Sequence, residues 1–561
     1  MTGTAGRAGV LPRALMTGAA ARPWAVAIAL ALPLAAFWFI GHHGLNFQDE
    51  GFLWYGAQRV LVGELPLRDF QSYDVGRYFW SAGWMWLFDN DGILAMRAGN
   101  AVLASITLAI AAVLVSIQPA PAWRILLAAP AFAAWMVPDF KVADSFAVML
   151  MVAGLAGALG RVGVRSCAWL GICLGVVSAI GINHALYGSI AVALALGLRY
   201  RQVRVLPSGS MLVAFVAGGI VGYSPVIACH LFASGFTAAF IDSIRMLFEA
   251  GTTNLPLPLP RLQALLQPSA GQDAASALRE SLLALSGLAG GVFLILAMRR
   301  VWKDWRPSNS GATGGDTAGA AAGAAAGATA GDTAAGSAGG AVFAAAVLVS
   351  IPYAHYTVSR FDVFHVALSI LPILVAVWTW PGRRRTGWGD AVLVAAVVAG
   401  TVLSLFEQRA YPMLRGWTAE RVQVLGDTLY LEPHAADVLS LLRAQVDAHA
   451  RDGRSFLAAP YWPGAYAVER RRAPVWEIYQ LFPATEERQR REIVRLREAD
   501  IGFSMFSLFR ADARPDLGFE STHPLIVAYI DRCMKLLPPS PSTEGRDIRI
   551  HVAGDPGCTM E

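Results

Sequence analysis

The sequence predicts a polytopic α-helical membrane protein of about 11 transmembrane helices with a C-terminal soluble α/β domain. Composition, apolar run length and the placement of charge all point that way. The 561 residues are 55% hydrophobic and 15% charged, with mean hydropathy +0.47. The charge is unevenly spread. From residue 407 onward, 42 of 155 residues are charged, about 27%, against 43 of the first 406, about 11%. A soluble domain carries about 25%, so the tail matches the soluble norm and the body falls far below it. This split excludes a single globular enzyme, a disordered chain and a disulfide-stapled secreted module. Cys167, Cys173 and Cys229 fall in apolar runs and read as packing residues. Cys533 and Cys558 lie in the tail and could pair in an oxidising compartment.

A spanning helix needs about 20 largely apolar residues. Such runs begin near Trp24, Ile93, Trp123, Asp144, Ser166, Ala185, Met211, Leu282, Ala341, Val363 and Asp390. The first follows Arg7, Arg13 and Arg22 and ends without a small-residue cleavage site, so it reads as a retained helix. With a cytoplasmic N-terminus, one side of the body holds 16 basic and 4 acidic residues, and the other holds 8 basic and 14 acidic ones. That bias places the tail outside. The net charge of +5 sits mostly in short loops, where it reports orientation and gives no basis for a nucleic-acid partner.

The transmembrane module is therefore residues 1–406 and the extracytoplasmic domain 407–561. Within the module, 41–92 and 235–281 are long outer loops, the second with an extended Leu-Pro repeat at 255–260. Residues 308–340 form a flexible Ala/Gly-rich cytoplasmic linker. Periodicity in the tail predicts helices at 436–450, 485–499 and 522–537, and strands at 456–462, 501–509 and 548–552.

The first outer loop carries the chemistry. Asp49 and Glu50 open an amphipathic helix over 51–62, expected to lie in the interface plane. On it Phe52, Tyr55 and Arg59 share one face, and Leu53, Ala57 and Val60 another. Asp49 fits an N-cap, and a cap also fixes a carboxylate at the water–lipid boundary. So held, Asp49 can act as a general base toward an acceptor hydroxyl that attacks a carbon whose leaving group is anchored in lipid. A leaving phosphate needs cations, for which Arg59, Arg68, Arg77, Lys141 and Arg360 are candidates. Asp74 and Asp139 are further candidates in the outer loops. Arg97 lies inside a span and must be paired, snorkelling or lining a cavity. His42 and His43 lack a recognisable metal-ligand spacing, and Asn183-His184 reads as an interfacial turn.

The run Gln48-Asp-Glu-Gly-Phe-Leu-Trp-Tyr-Gly-Ala-Gln-Arg59, with Gly63-Glu-Leu-Pro-Leu-Arg-Asp-Phe70 and Gly76-Arg-Tyr78, resembles the first outer loop of GT-C glycosyltransferases. It is most similar to the protein-mannosyltransferase and aminoarabinose-transferase branch. Ser359-Arg360-Phe-Asp362-Val-Phe-His365 resembles a later motif of that family which meets the donor phosphate. The resemblance implies transfer of a sugar, with inversion, from a polyprenyl-phosphate-linked donor to an acceptor hydroxyl on a lipid, glycan or protein. It maps the catalytic acid pair onto Asp49 and Glu50. Arg360, Arg77, Lys141 and Arg59 become donor-phosphate residues, and Tyr55, Arg68, Asp74, Asp139, Asp362 and His365 further site candidates. It implies a plasma (bacterial inner) membrane setting. Val75-Gly76 departs from a frequent Pro-Gly, and no Trp-Trp-Asp motif stands in the tail, against the metal-dependent oligosaccharyltransferase branch. No cofactor is expected and a divalent metal is not favoured. The rival readings are a lipid or glycan transporter or flippase, disfavoured by the absence of matching halves, and a non-catalytic cell-envelope assembly protein.

Overall fold

The computed structural model describes residues 23–117, 122–249, 274–306, 338–360, 362–381, 395, 398–404, 406–409, 411, 418–508, 510, 514–539, 547–554 and 558. Helices occupy ten of the eleven apolar runs: Pro23–Ile40, Ile93–Ser116, Ala122–Ala134, Val142–Gly160, Val164–Ile180, Ile182–Val203, Gly209–Phe232, Ala274–Asp304, Ala338–Ser359 and Val363–Trp378. Of the run from Asp390 only 395 and 398–404 are described, and they are helical; the Leu-Pro repeat and nearly all of the Ala/Gly-rich linker lie outside the described residues.

Not all ten have the length and composition of a full crossing by themselves. Among the described residues, six helices are long and apolar enough, and Ala122–Ala134, Val164–Ile180 and Val363–Trp378 are apolar but shorter. At 1.5 Å per residue, the 13-residue Ala122–Ala134 helix reaches roughly 20 Å against a hydrocarbon core of about 30 Å. It stops ahead of Pro138, whose ring disfavours helical backbone in the residue before it. Ile182–Val203 has the length but carries Arg199 and Arg201 in its last turns.

Residues 41–92 are not a surface loop. They hold two helices, Asp49–Leu61 and Gly76–Leu87. The first is not a half-exposed amphipathic helix, because both of its faces are covered: Phe52, Leu53, Trp54, Tyr55 and Ala57 are all buried. On one face Phe52 and Tyr55 pack on Phe70, Tyr73, Tyr78, Tyr466 and Tyr479, and on the other Leu53 and Ala57 are buried as well. Gly76 has no room for a side chain, since a Cβ there would stand 2.7 Å from the Ala179 carbonyl oxygen.

The tail is an α/β unit. A four-stranded sheet runs in the order β3 (Leu457–Ala459), β4 (Phe503–Ser507), β6 (Ile548–Ala553), β5 (Met534–Leu536), with β3 parallel to β4 and the other pairs antiparallel. Helices Pro433–His449, Glu486–Glu498 and Pro524–Cys533 match the expected periodic segments. The third stops at Cys533 because 534–536 enter the sheet as β5, and Cys533 is bonded to Cys558. A hairpin of β1 (Glu420–Val424) and β2 (Asp427–Leu431) precedes them. Its Leu425-Gly426 turn has φ 50° and 88°, the two-residue geometry that suits twisted hairpins.

One hydrophobic core runs through the first loop and the tail. Gly464 N–H donates to Phe47 O at 2.9 Å, Tyr430 N–H to His42 O at 2.9 Å, and Trp476 Nε1 to Leu67 O at 3.0 Å. At the closest approach a Cβ on Gly51 would stand 2.4 Å from the Gly464 nitrogen. Gly51→Val should therefore destabilise the docked tail by about 1–3 kcal/mol, read as a lower thermal midpoint in detergent and faster proteolytic release of the tail. Unchanged midpoint and cleavage would contradict this packing.

Candidate active site

The site starts where the chain leaves the first long helix. Asn46 and Glu50 cap each other: Asn46 N–H donates to Glu50 Oε2 and Glu50 N–H to Asn46 Oδ1, both at 3.3 Å. The N-cap position belongs to Gln48, so Asp49 is the first helical residue and not the cap.

Glu50 is fully buried between two arginines. Arg97, in the first turns of the Ile93–Ser116 helix, donates to it at 2.8 and 2.9 Å and also to the carbonyls of Gly41 and Gly44 at 2.6 and 2.8 Å. The intramembrane arginine is thus paired, and it fastens the end of the first span. Arg409, at the start of the tail, donates to Glu50 at 2.5 and 3.1 Å and to Asp139 at 2.7 and 2.8 Å. Two cations face two carboxylates, all through charge-assisted bonds. Burial alone would raise the Glu50 carboxyl. The Arg409 and Arg97 charges and hydrogen bonds override it and hold it down at about 2, against an ordinary 4.5. The same two carboxylates hold the Arg409 guanidinium above its usual range despite its burial.

This clamp presents the neighbouring Asp49 at an opening. Its side chain is 37% exposed, and Lys141 Nζ stands 3.6 Å from Oδ2. The Tyr461 hydroxyl, from the tail, donates to Oδ1. Tyr461 packs on Tyr479 with ring centroids 4.1 Å apart, and Tyr73 and Phe52 complete an aromatic wall. Burial, then the Asp49 charge, pushes the Tyr479 phenol up to about 12, while the Arg360 charge pulls it down.

The remaining candidates separate into groups. Arg360 pairs with Asp362 at 3.0 Å. Asp362 caps the Val363–Trp378 helix, accepting from His365 N–H at 3.0 Å and binding its Nδ1 at 2.8 Å. Arg77 is held between Asp74 at 2.7 Å and Asp144 at 3.0 Å. Burial pushes the Asp74 carboxyl up to about 7 even so. His184 is buried and links Asp144 at 2.7 Å to the Tyr353 hydroxyl at 2.8 Å, so it is a core network member and not an interfacial turn. Tyr55 accepts from Ala473 N–H at 3.0 Å deep in the core, Arg59 pairs with Glu64 at 2.6 Å, and Arg68 with Asp69 at 2.7 Å. Arg59 lies ten residues along the helix from Asp49, roughly 15 Å. These three are not brought together with Asp49. His42 binds Thr428 O and His43 stacks on Tyr430. Among the described residues no group of three or more His, Cys, Asp or Glu could hold a metal ion.

Sequence reasoning missed Arg409, Tyr461, Tyr479 and His184. Only His184, polar between apolar runs, carried a local signal. The others reach the site from more than 300 residues away.

No protein-family model and no curated protein matches this chain. Among solved structures it is similar to the archaeal oligosaccharyltransferase AglB from Archaeoglobus fulgidus in complex with an inhibitory peptide and a dolichol-phosphate, at 10% identity, over 96% of this chain and 75% of that one, with TM-score 0.37. It is similar also to the Archaeoglobus fulgidus oligosaccharyltransferase complex with Zn and sulfate, at 10% identity, over 92% and 72%, with TM-score 0.39. At such values no property of those proteins is carried over. What fold and site define together is a polytopic helical membrane protein whose C-terminal α/β domain completes a carboxylate site on one side of the helical body.

The Glu50 carboxyl is held below its ordinary value, so its contribution is complete above about pH 4.5 and is lost as pH falls through about 2. Glu50→Gln should cost roughly 3–5 kcal/mol at neutral pH by leaving buried guanidinium charge uncompensated. Its deficit against the wild type, read from thermal midpoints, should narrow as pH falls through that window. Equal midpoints at pH 7 would contradict the clamp.

Proposed function

We propose that the protein is a GT-C-type membrane glycosyltransferase that moves a sugar from a polyprenyl-phosphate-linked donor to an acceptor hydroxyl at the outer face of the membrane. The observation that carries this reading is Asp49: a part-exposed carboxylate, aimed by a buried ion cluster, with a lysine at 3.6 Å and a tyrosine hydroxyl on its other oxygen.

Asp49 takes the acceptor's hydroxyl proton as that oxygen bonds to the anomeric carbon. The bond from that carbon to the phosphate oxygen breaks, and the phosphate leaves with the electron pair. Attack opposite the leaving group inverts the anomeric centre. Lys141 and Arg360 offset the charge that develops on the phosphate. Arg77 is less suited, being neutralised by two carboxylates. Glu50 is a positioning residue, since its oxygens are consumed by Arg97 and Arg409. Tyr461 orients Asp49, and the tail helps hold the acceptor.

The orientation rests on the charge bias. Arg161, Arg165, Arg199, Arg201, Arg299, Arg300 and Lys303 lie at or beside one end of their helices, the end that the charge bias reads as cytoplasmic. A cytoplasmic N-terminus and external tail follow, in a plasma membrane, and the Cys533–Cys558 bond suits an oxidising exterior.

Asp49→Asn should lower sugar transfer by about 10²–10⁴-fold while leaving the thermal midpoint in place. The assay is release of free polyprenyl phosphate from labelled donor in membranes containing acceptor. Retained turnover would remove Asp49 as base.

A further inference from the structure

A line of aromatic rings leads away from Asp49 along the tail. Tyr461 binds the carboxylate. Tyr479 packs edge-on against Tyr461 at 4.1 Å, and Phe482 stacks on Tyr479 at 5.9 Å with planes 18° apart. Tyr73, from the first loop, flanks Tyr479 at 5.7 Å and is 41% exposed. Beyond Phe482 the line opens onto a shallow surface cleft between the Phe236–Glu249 helix and the segment up to Arg488, lined by Met246, Glu249, Glu477, Phe482, Thr485 and Arg488. Arg488 spans it to Glu249 at 3.4 Å. Glu477 is 3% exposed, yet its Oε2 is buried with no hydrogen-bond partner among the described residues. A buried carboxylate oxygen left unpaired is costly, and a hydroxyl donor arriving in the cleft removes that cost.

We propose that this ring line and cleft form the acceptor track, and that the acceptor is a neutral carbohydrate chain. This rests on the glycosyltransferase reading of Asp49 and names its second substrate. A sugar ring offers an apolar C–H face to Tyr479 and Phe482 and a rim of hydroxyls to Glu477, Glu249 and Arg488. The terminal sugar presents its hydroxyl to Asp49, and sugars further back lie on the rings and across the mouth of the cleft. An anionic lipid headgroup meets two carboxylates against one arginine there. A peptide would seek a strand edge, and residues 469–485 beside the rings form no strand.

The test uses the purified full chain in detergent and measures binding of neutral oligomannose, oligogalactose and oligoarabinose by saturation-transfer NMR, with a Ser/Thr-rich peptide and phosphatidylglycerol vesicles as competitors. At least one oligosaccharide should bind saturably, more tightly than its monosaccharide. Phe482→Ala should weaken it about tenfold, Phe482→Tyr should restore it, and Glu477→Gln should weaken it without loss of thermal midpoint. Asp49→Asn should still bind, so donor release can fail while binding stands, which would overturn only the reading of Asp49. Donor turnover without oligosaccharide binding, equal binding by wild type and Phe482→Ala, or saturable binding of the peptide or vesicles alone would overturn the track.

Discussion

The structure depends on a carboxylate that water never reaches. Glu50 sits between Arg97, which comes from a membrane helix, and Arg409, which comes from the entry to the tail. A lone charge in that position would be expelled or neutralised. Here two guanidiniums and two carboxylates balance, and each bond also joins separate parts of the chain. Arg97 fastens the exit of the first span, Asp139 brings in the start of the next outward-facing helix end, and Arg409 pins the tail. The direction of Asp49 follows from that clamp, because the two residues are adjacent on one helix turn.

The shared core has a consequence for how the two halves work. The tail is a wall of the site, supplying Tyr461 and Tyr479, while the first loop supplies Asp49, Phe52 and Tyr73. Neither half has the complete site alone. In the proposed reaction this division would let a lipid-held donor approach along the helical body and the acceptor along the C-terminal domain.

Much of this was legible in the sequence. Run length and charge density separated body from tail, and periodicity found the three principal tail helices, because amphipathic spacing is local. Asp49 and Glu50 stood out as paired acids after a span, and Arg97 as a charge that needed a partner. What stayed hidden was contact across the chain. No spacing links Arg409 to Glu50, and no pattern shows that Tyr461 bends toward Asp49. The Asp49–Leu61 helix looked interfacial because its polar and apolar faces are distinct, yet the tail covers the second face. The β1–β2 hairpin did have a signal, alternating apolar residues on each side of Leu425-Gly426.

The most direct measurement is a double-mutant cycle on Glu50→Gln and Arg409→Gln, read both in thermal midpoint and in donor turnover. If the buried clamp joins tail to body and aims Asp49, the double variant should be no worse than the poorer single one, with a coupling of about 0.5–3 kcal/mol in both readouts. Strictly additive losses would mean that the two residues act apart and that something else orients Asp49.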